Sequence, residues 1–522
     1  MTRVLVVLLL SLSLAGAQET RYHQLSRRAK GSGGAVRIVS ATWLGGPGAE
    51  ELVATCWQPG GTLLAVGNAW GPDLPGARVF GPDGYRDAPV WADEAKRRLD
   101  RANPNLAGCL WRLSADLSRA DTVVRLGWGT GVVTSAAVGG DGAVYLGGLG
   151  RDALLNWARS QPGSRQQPPD TAAAGGSHLF LMRLSADLAR VDWITTFERA
   201  ERQAADVERP VGGRVGLRFR FTAERDLVAQ AYGRLYRLDA GNGAARELAT
   251  LRGGVLLSAD PASGRIYCGG DENTNTGREP WRRPFLTACD RNGTLLWQAW
   301  RWDAKRVGGD EYRLVSDSSV RGLLPLDGDR ALTWGWSDGG NSVFLRQPTD
   351  LDQRASFAGS FCESLWGAGV GSFGWLMTLD TAKVQTLAGT NVAAFFPTRD
   401  RPNSSRIDGA CRLSGGRLAV VGSSAFAFVE TPDAWVKTYP DGAGGAYFAI
   451  YSESLGDLLF GSLLPGIESP LALARRDGRV AVVGTGVQPV DPAAKQPPLA
   501  SGVQTSLRGP ADGYVLVAEV GR

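Results

Sequence analysis

An eight-residue stretch, Arg112-Leu-Ser-Ala-Asp-Leu-Ser-Arg119, returns 71 residues later as Arg183-Leu-Ser-Ala-Asp-Leu-Ala-Arg190, identical at seven of eight positions. A chain that repeats at an interval of this size is one structural unit used many times, stacked so that neighbours bury each other's apolar faces. Around each copy the same order of parts recurs. In the second unit an apolar run, Val132 to Val138, meets the turn Gly140-Asp141-Gly142, and Ala143-Val-Tyr-Leu-Gly147 follows.

The turn and second run return as Gly60-Gly61 before Leu63-Leu-Ala-Val-Gly67 and as Gly264 before Arg265-Ile-Tyr-Cys-Gly269. They return again as Asp327-Gly328 before Ala331-Leu-Thr-Trp-Gly335, Gly415-Gly416 before Leu418-Ala-Val-Val-Gly422, and Asp477-Gly478 before Val480-Ala-Val-Val-Gly484. Asp-Gly and Gly-Gly between β-branched or aromatic runs are hairpin signals, because a tight turn needs residues that tolerate left-handed backbone. A third strand ending in an acid is expected at Cys109 to Asp116, His178 to Asp187, Leu235 to Asp239, Phe285 to Asp290, Trp375 to Asp380, Tyr447 to Glu453 and Tyr514 to Glu519. The acid stands where the chain turns, so its expected role is to accept backbone hydrogen bonds rather than to catalyse.

Fourth strands are expected at Thr122 to Trp128, Val191 to Phe197, Arg246 to Leu251, Leu295 to Trp302, Lys383 to Leu387 and Asp457 to Leu464. None follows the last unit. Arg37-Ile-Val-Ser-Ala-Thr-Trp-Leu-Gly-Gly46, near the other end, has fourth-strand character and no first three strands before it. A terminal strand that completes the last unit removes the open edges a linear array exposes. The expected fold is therefore all-β: a single β-propeller of seven four-stranded blades over residues 37–522, closed by the N-terminal strand. The third unit, Gly216 to Leu251, is the weakest copy, its second strand running almost directly into its third.

Gly142-Ala-Val-Tyr-Leu-Gly147, Gly374-Trp-Leu-Met-Thr-Leu-Asp380 and Trp43-Leu-Gly-Gly46 resemble the bacterial seven-bladed β-propeller repeat family. The resemblance spans nearly the whole mature chain and implies the fold together with a cell-surface or extracellular setting. Asp290-Arg-Asn-Gly-Thr-Leu-Leu-Trp297 resembles the tryptophan-docking repeat of quinoprotein dehydrogenases, whose propellers hold a quinone cofactor, but the equivalent turns here read Asp116-Leu-Ser-Arg and Asp187-Leu-Ala-Arg. No organic cofactor is expected.

Residues 1–17 read as an export signal: Arg3, an apolar run from Val4 to Leu14, then Ala15-Gly16-Ala17 as a cleavage site. The run is shorter than the roughly 20 residues a membrane-spanning helix needs, so no membrane span is expected. Residues 18–36, rich in charge, Ser and Gly, read as an unstructured lead-in. An exported chain meets an oxidising compartment, so its six cysteines are expected to pair. Cys268 with Cys289 is favoured as a pair on neighbouring strands, and Cys56 with Cys109 and Cys362 with Cys411 follow by sequential order.

The formal charge of +5 on 522 residues, with scattered arginines, argues against a nucleic-acid partner. Only His23 and His178 are present, which disfavours a multi-histidine metal site or a Ser/His/Asp triad. Long insertions fall between second and third strands, at 70–108, 150–176, 270–283, 338–373, 424–444 and 486–511. In an up-and-down meander those loops share one face, the expected binding face. They carry Trp70, Trp91, Trp157, Trp281, Trp366 and Trp435, with Arg282 and Arg283, as candidate anchors for a protein or carbohydrate partner. Asp271, Asn273 and Asn275 place oxygen side chains at alternate positions, as calcium loops do, but Arg282 stands where a bidentate Glu would be.

The expected function is a secreted, monomeric, non-enzymatic binding or scaffold protein. The alternative is an extracellular polysaccharide hydrolase or lyase with paired carboxylates near the channel, loop acids such as Asp73, Asp83, Asp87, Asp93 and Glu94 being available.

Overall fold

The computed structural model describes residues 21–521 apart from 71–73, 83–105, 168–177, 198–216, 274–279, 302–315, 339–342, 364–371, 396–401, 438–442, 488–501 and scattered single residues and pairs. The export signal therefore lies outside the described residues. What is described is all-β, many-sheeted and propeller-like.

Each unit forms a four-stranded antiparallel meander. Sheet 1 comprises Ala49–Trp57, Leu63–Trp70, Leu106–Leu113 and Ala120–Leu126. Sheet 2 comprises Gly131–Val138, Val144–Gly150, His178–Leu184 and Val191–Phe197. Sheet 3 is Arg218–Ala223, Asp226–Ala231, Arg234–Asp239 and Ala245–Thr250, and its second and third strands do meet in a minimal turn. Sheet 4 is Leu256–Ala259, Ile266–Asn273, Arg282–Cys289 and Leu295–Ala299. Sheet 5 is Ser318–Pro325, Arg330–Asp338, Ser372–Asp380 and Gln385–Val392. Sheet 6 is Ser405–Leu413, Arg417–Phe428, Ala443–Ser452 and Leu458–Leu464.

Sheet 7 has three strands from the C-terminal region, Ile467–Arg476, Arg479–Val487 and Ala511–Val520. Its fourth is Val36–Leu44, antiparallel to Ala511–Val520 from Val36↔Val520 to Leu44↔Gly513. The assignment rests on more than pairing. In sheets 1, 2, 4, 5 and 6 the fourth strand skips one residue in register near the end of the third strand, at Asp121, Asp192, Leu296, Leu387 and Leu459, whereas the skip in sheet 3, at Leu248, falls near the start of its third strand. Val36–Leu44 has the same β-bulge at Val39. A bulge kinks and twists the strand it interrupts, so its recurrence marks one structural position.

First strands touch first strands from sheet to sheet, and the first strand of sheet 7 touches that of sheet 1. Two single-residue parallel bridges, Ala49↔Ala511 and Ala107↔Gly131, join sheets 7, 1 and 2 into a continuous 14-stranded ladder.

The repeated eight-residue stretch is explained by its turn. Leu117 and Leu188 lie at φ 59° and 60°, a left-handed conformation that L-residues adopt at a cost. Asp116 Oδ1 holds the turn by accepting from Ser114 Oγ at 2.6 Å and Ser118 N at 3.1 Å, and Asp187 does the same with Ser185 and Ala189. The strain is offset because both leucine side chains are fully buried. These acids are structural, as the sequence suggested: the Ser114 hydroxyl, then the Ser118 amide, hold the Asp116 carboxyl down to about 2. Asp239, Asp290 and Asp380 accept backbone amides in the same way.

Tryptophans tie sheets together. Trp193 Nε1 donates to Ala240 O at 3.1 Å and Trp297 Nε1 to Thr381 O at 3.0 Å. Each is a fourth-strand indole reaching the carbonyl just past the turn acid of the next sheet. The docking that the sequence suggests at Trp297 thus has a counterpart at Trp193.

Two expectations are corrected. The lead-in is not unstructured, because Arg21–Arg28 forms a helix, α1, whose Tyr22 and Leu25 lie three apart on one buried face, Tyr22 against Phe395. The chain then runs along sheet 6, with Lys30 paired to Asp457 at 2.8 Å and Ser32 N donating to Asp433 Oδ2 at 2.8 Å, before entering sheet 7. The second correction concerns the cysteines: Cys56, Cys109, Cys268, Cys289, Cys362 and Cys411 are all free. Cys268 faces Thr287, and Cys289 faces Ile266, so the favoured pair is diagonal rather than opposed. A diagonal step of about 7 Å exceeds the roughly 3.5–4.5 Å between Cβ atoms that a disulfide requires. Cys56 and Cys109 sit on the first and third strands of sheet 1 with Leu63–Trp70 between them, while Cys362 lies beside Asn391 of sheet 5 and Cys411 on sheet 6.

Candidate functional site

Neighbouring sheets meet through their first strands, and five of these bulge within their first five residues, at Val53, Thr134, Arg321, Asp408 and Glu468 in sheets 1, 2, 5, 6 and 7. At Arg321 and Asp408 the bulged residue is charged and followed by glycine, in Val320-Arg321-Gly322 and Ile407-Asp408-Gly409. Bulges re-aim a side chain, and here they bring charges from two sheets together.

Arg321 is the centre of this group. Burial, more than any charge, pulls its guanidinium down to about 10, with Asp271 and Asp408 opposing and Arg282 and Arg406 adding to the fall. Its guanidinium carbon stands 5.9 Å from the centre of the Trp336 ring, within cation–π range. Asp271 accepts from Ser319 Oγ at 2.7 Å, and burial raises its carboxyl above the usual range, with Asp317 adding to the rise. Asp317 Oδ1 in turn accepts the backbone amide of Arg282 at 2.9 Å. Arg406 pairs with Asp408 at 3.2 Å. The result is a mixed patch of arginines and carboxylates where sheets 4, 5 and 6 meet.

Trp281, 52% exposed, immediately precedes Arg282 in the chain. Arg283 is committed to Glu272 at 2.6 Å. Both ends of the loop expected at 270–283 are ladder, since pairing continues to Asn273↔Arg282. Asp271 and Asn273 are thus strand residues rather than members of a loop, and Asn275 lies outside the described residues.

The other candidate anchors divide. Trp70 is buried at the end of the second strand of sheet 1. Trp157 lies on α2, Asp152–Arg159, half-buried with its ring 6.2 Å from Phe80. Trp435 stacks on Phe448 at 5.4 Å and donates to Val36 O at 3.3 Å, pinning its loop to the N-terminal strand. Trp91 and Trp366 lie outside the described residues, as do Asp73, Asp83, Asp87, Asp93 and Glu94. Among the described candidates the structure therefore brings Arg282 and Asp271 together, with Trp281 next to Arg282 in the chain. Sequence reading missed Arg321, Trp336, Asp317, Arg406 and Asp408. The signal available for two of them is a charged residue between a β-branched residue and glycine in a first strand.

Among the described residues no helix is long and apolar enough to cross a membrane, and no group of three or more His, Cys, Asp or Glu is placed to hold a metal ion.

No family model matches the chain, and no curated protein matches it. Solved structures similar to it include a protein of unknown function from Dyadobacter fermentans, at 10% identity and a TM-score of 0.41 over 93% of this chain and 100% of that one. BamB from Moraxella catarrhalis is similar at 12% identity and a TM-score of 0.32, over 80% and 94% of the two chains. The phage phi92 endosialidase is similar at 10% identity and a TM-score of 0.33, over 93% and 70%. Likenesses this distant carry no function across.

Proposed function

We propose that the chain is a secreted binding protein, folded as a seven-bladed propeller closed by its N-terminal strand, that engages a protein or carbohydrate partner on its long-loop face. The observation that carries this reading is the exposed indole of Trp281, next in the chain to Arg282, whose charge acts on Arg321. An exposed aromatic face with adjacent carboxylates and guanidinium groups can stack on an apolar surface while hydrogen-bonding its polar rim. Support for the ring comes from the bulge that Val36–Leu44 shares with the fourth strands of sheets 1, 2, 4, 5 and 6.

The test is a glycan-array and polysaccharide screen on residues 18–522, together with capture of protein partners. Trp281→Ala is expected to weaken binding at least tenfold while leaving the urea midpoint unchanged, because the ring is exposed. Unchanged affinity in Trp281→Ala contradicts the proposed site.

One observation favours a second reading. Asp271, raised by burial, lies within electrostatic range of Asp317, and two carboxyl groups in unlike surroundings are what acid-base cleavage of a glycosidic bond uses. Release of reducing ends from a polysaccharide, lost in Asp271→Asn, would establish hydrolysis in place of binding alone.

A further inference from the structure

Between Val36–Leu44 and Ala49–Trp57 the chain turns past Gly45. A Cβ there would lie 2.5 Å from Glu50 Oε2 and 2.7 Å from Asp512 Oδ1, so two carboxyl groups converge on one point. Glu50 is the second residue of the first strand of sheet 1, and Asp512 the second of the third strand of sheet 7. The residues just before them, Ala49 and Ala511, form the parallel bridge that joins these sheets. Glu50 is 3% exposed and Asp512 fully buried.

Their surroundings differ in a way that divides their roles. Asp512 is the one supplied with donors: Oδ2 accepts from Gln504 Nε2 and, at 2.9 Å, from Arg508 N, while Oδ1 accepts from Gly509 N at 3.0 Å, and these bonds oppose the burial that raises its carboxyl above the usual range. Glu50 Oε2 is buried without a hydrogen-bond partner among the described residues. A carboxylate oxygen left so is costly, and a carboxyl O–H facing an acceptor is not. The titratable groups facing Glu50 are Asp512 and, on the third strand of sheet 1, Cys109; Arg508, exposed, is the cation that faces Asp512.

We propose that Glu50 and Asp512 hold one proton between them, carried on Glu50 Oε2 and donated to Asp512 Oδ1, and that this proton is a pH-sensitive latch on the joint between the first and last sheets. Loss of the proton puts two anions into one dry contact beside the bridge, with Arg508 too exposed to offset both. Like charges in that position push Ala49 and Ala511 apart, and the joint opens before the rest of the molecule.

The direction of the effect follows from linkage. Burial, then Asp512, push the Glu50 carboxyl up from an ordinary 4.5 to about 8. The folded state therefore holds this proton more tightly than the unfolded chain. Its contribution to stability is fully present below about pH 4.5 and is lost as pH rises towards about 8.

The test compares the intact chain with Glu50→Gln, which keeps shape and supplies a donor that does not titrate. Urea unfolding is measured from about pH 5 to about pH 9. The wild-type unfolding equilibrium constant is expected to rise relative to that of Glu50→Gln by up to about tenfold per pH unit, levelling near pH 8. Amide hydrogen exchange, corrected for its intrinsic pH dependence, is expected to accelerate in residues 36–57 and 504–520 of the wild type ahead of residues 318–338. Parallel pH curves for the two proteins overturn the proposal. If Glu50→Gln does not fold, wild-type exchange decides alone: acceleration spread evenly over the sheets overturns it, and acceleration confined to the joint supports it.

Discussion

In sheet 7 the second and third strands, Arg479–Val487 and Ala511–Val520, run for nine and ten residues, whereas every strand of sheet 3 has six. The fourth strand of sheet 7 buries Val36, Ala41, Trp43 and Leu44, and Trp43 packs edge-on against Tyr514 with ring centres 4.9 Å apart. The fourth strand of sheet 3, Ala245–Thr250, has no buried residue, and a cavity of about 260 Å³ lined by Leu251, Cys268, Phe285 and Cys289 lies between sheets 3 and 4. Sheets 1 to 6 are each continuous in sequence; sheet 7 joins strands from opposite ends of the chain. The difference teaches that the strand brought from the far end of the chain is as deeply buried as the fourth strands of continuous sheets such as Val191–Phe197 of sheet 2, whereas the fourth strand of sheet 3 is held without burial.

Breaking this contrast should be most costly at sheet 7. Trp43→Ala is expected to destabilise the protein by about 3–5 kcal/mol, as removal of a large, nearly inaccessible ring does. The urea midpoint and its slope measure it. Leu235→Ala, equally buried but in the cluster next to the cavity, is expected to cost less, about 2–3 kcal/mol, because neighbours there already have room to relax. Equal losses at the two sites would remove the contrast.

How much of this could be read in advance follows the range of the interactions. Turns and second strands were legible because Gly60-Gly61 or Asp477-Gly478 beside an apolar run is a local signal. The N-terminal strand was legible because the last unit lacks a fourth strand and Arg37 to Gly46 has fourth-strand character with no first three strands before it. Helix α1 was missed because only Tyr22 and Leu25 of its eight residues face the core, and the rest read as polar lead-in. The disulfides were misjudged because register, not strand adjacency, decides whether Cys268 and Cys289 can meet. The bulges at Arg321 and Asp408 that bring these charges together, and the meeting of Glu50 with Asp512, depend on pairing between distant strands. Of the expected loop anchors, Trp70 and Trp435 carry the same side chain as Trp281 but spend it on packing.

The account turns on Val36–Leu44 being the fourth strand of the last sheet. Arg37 lies opposite Glu519 and pairs with it. In a background with the native cysteines replaced, Arg37→Cys with Glu519→Cys should form an internal disulfide on mild oxidation. The closed chain should then migrate apart from the reduced one on a denaturing gel, while Arg37→Cys with Glu453→Cys stays unlinked. Failure of the 37/519 pair to link, or equal linking of both pairs, would contradict closure by the N-terminal strand.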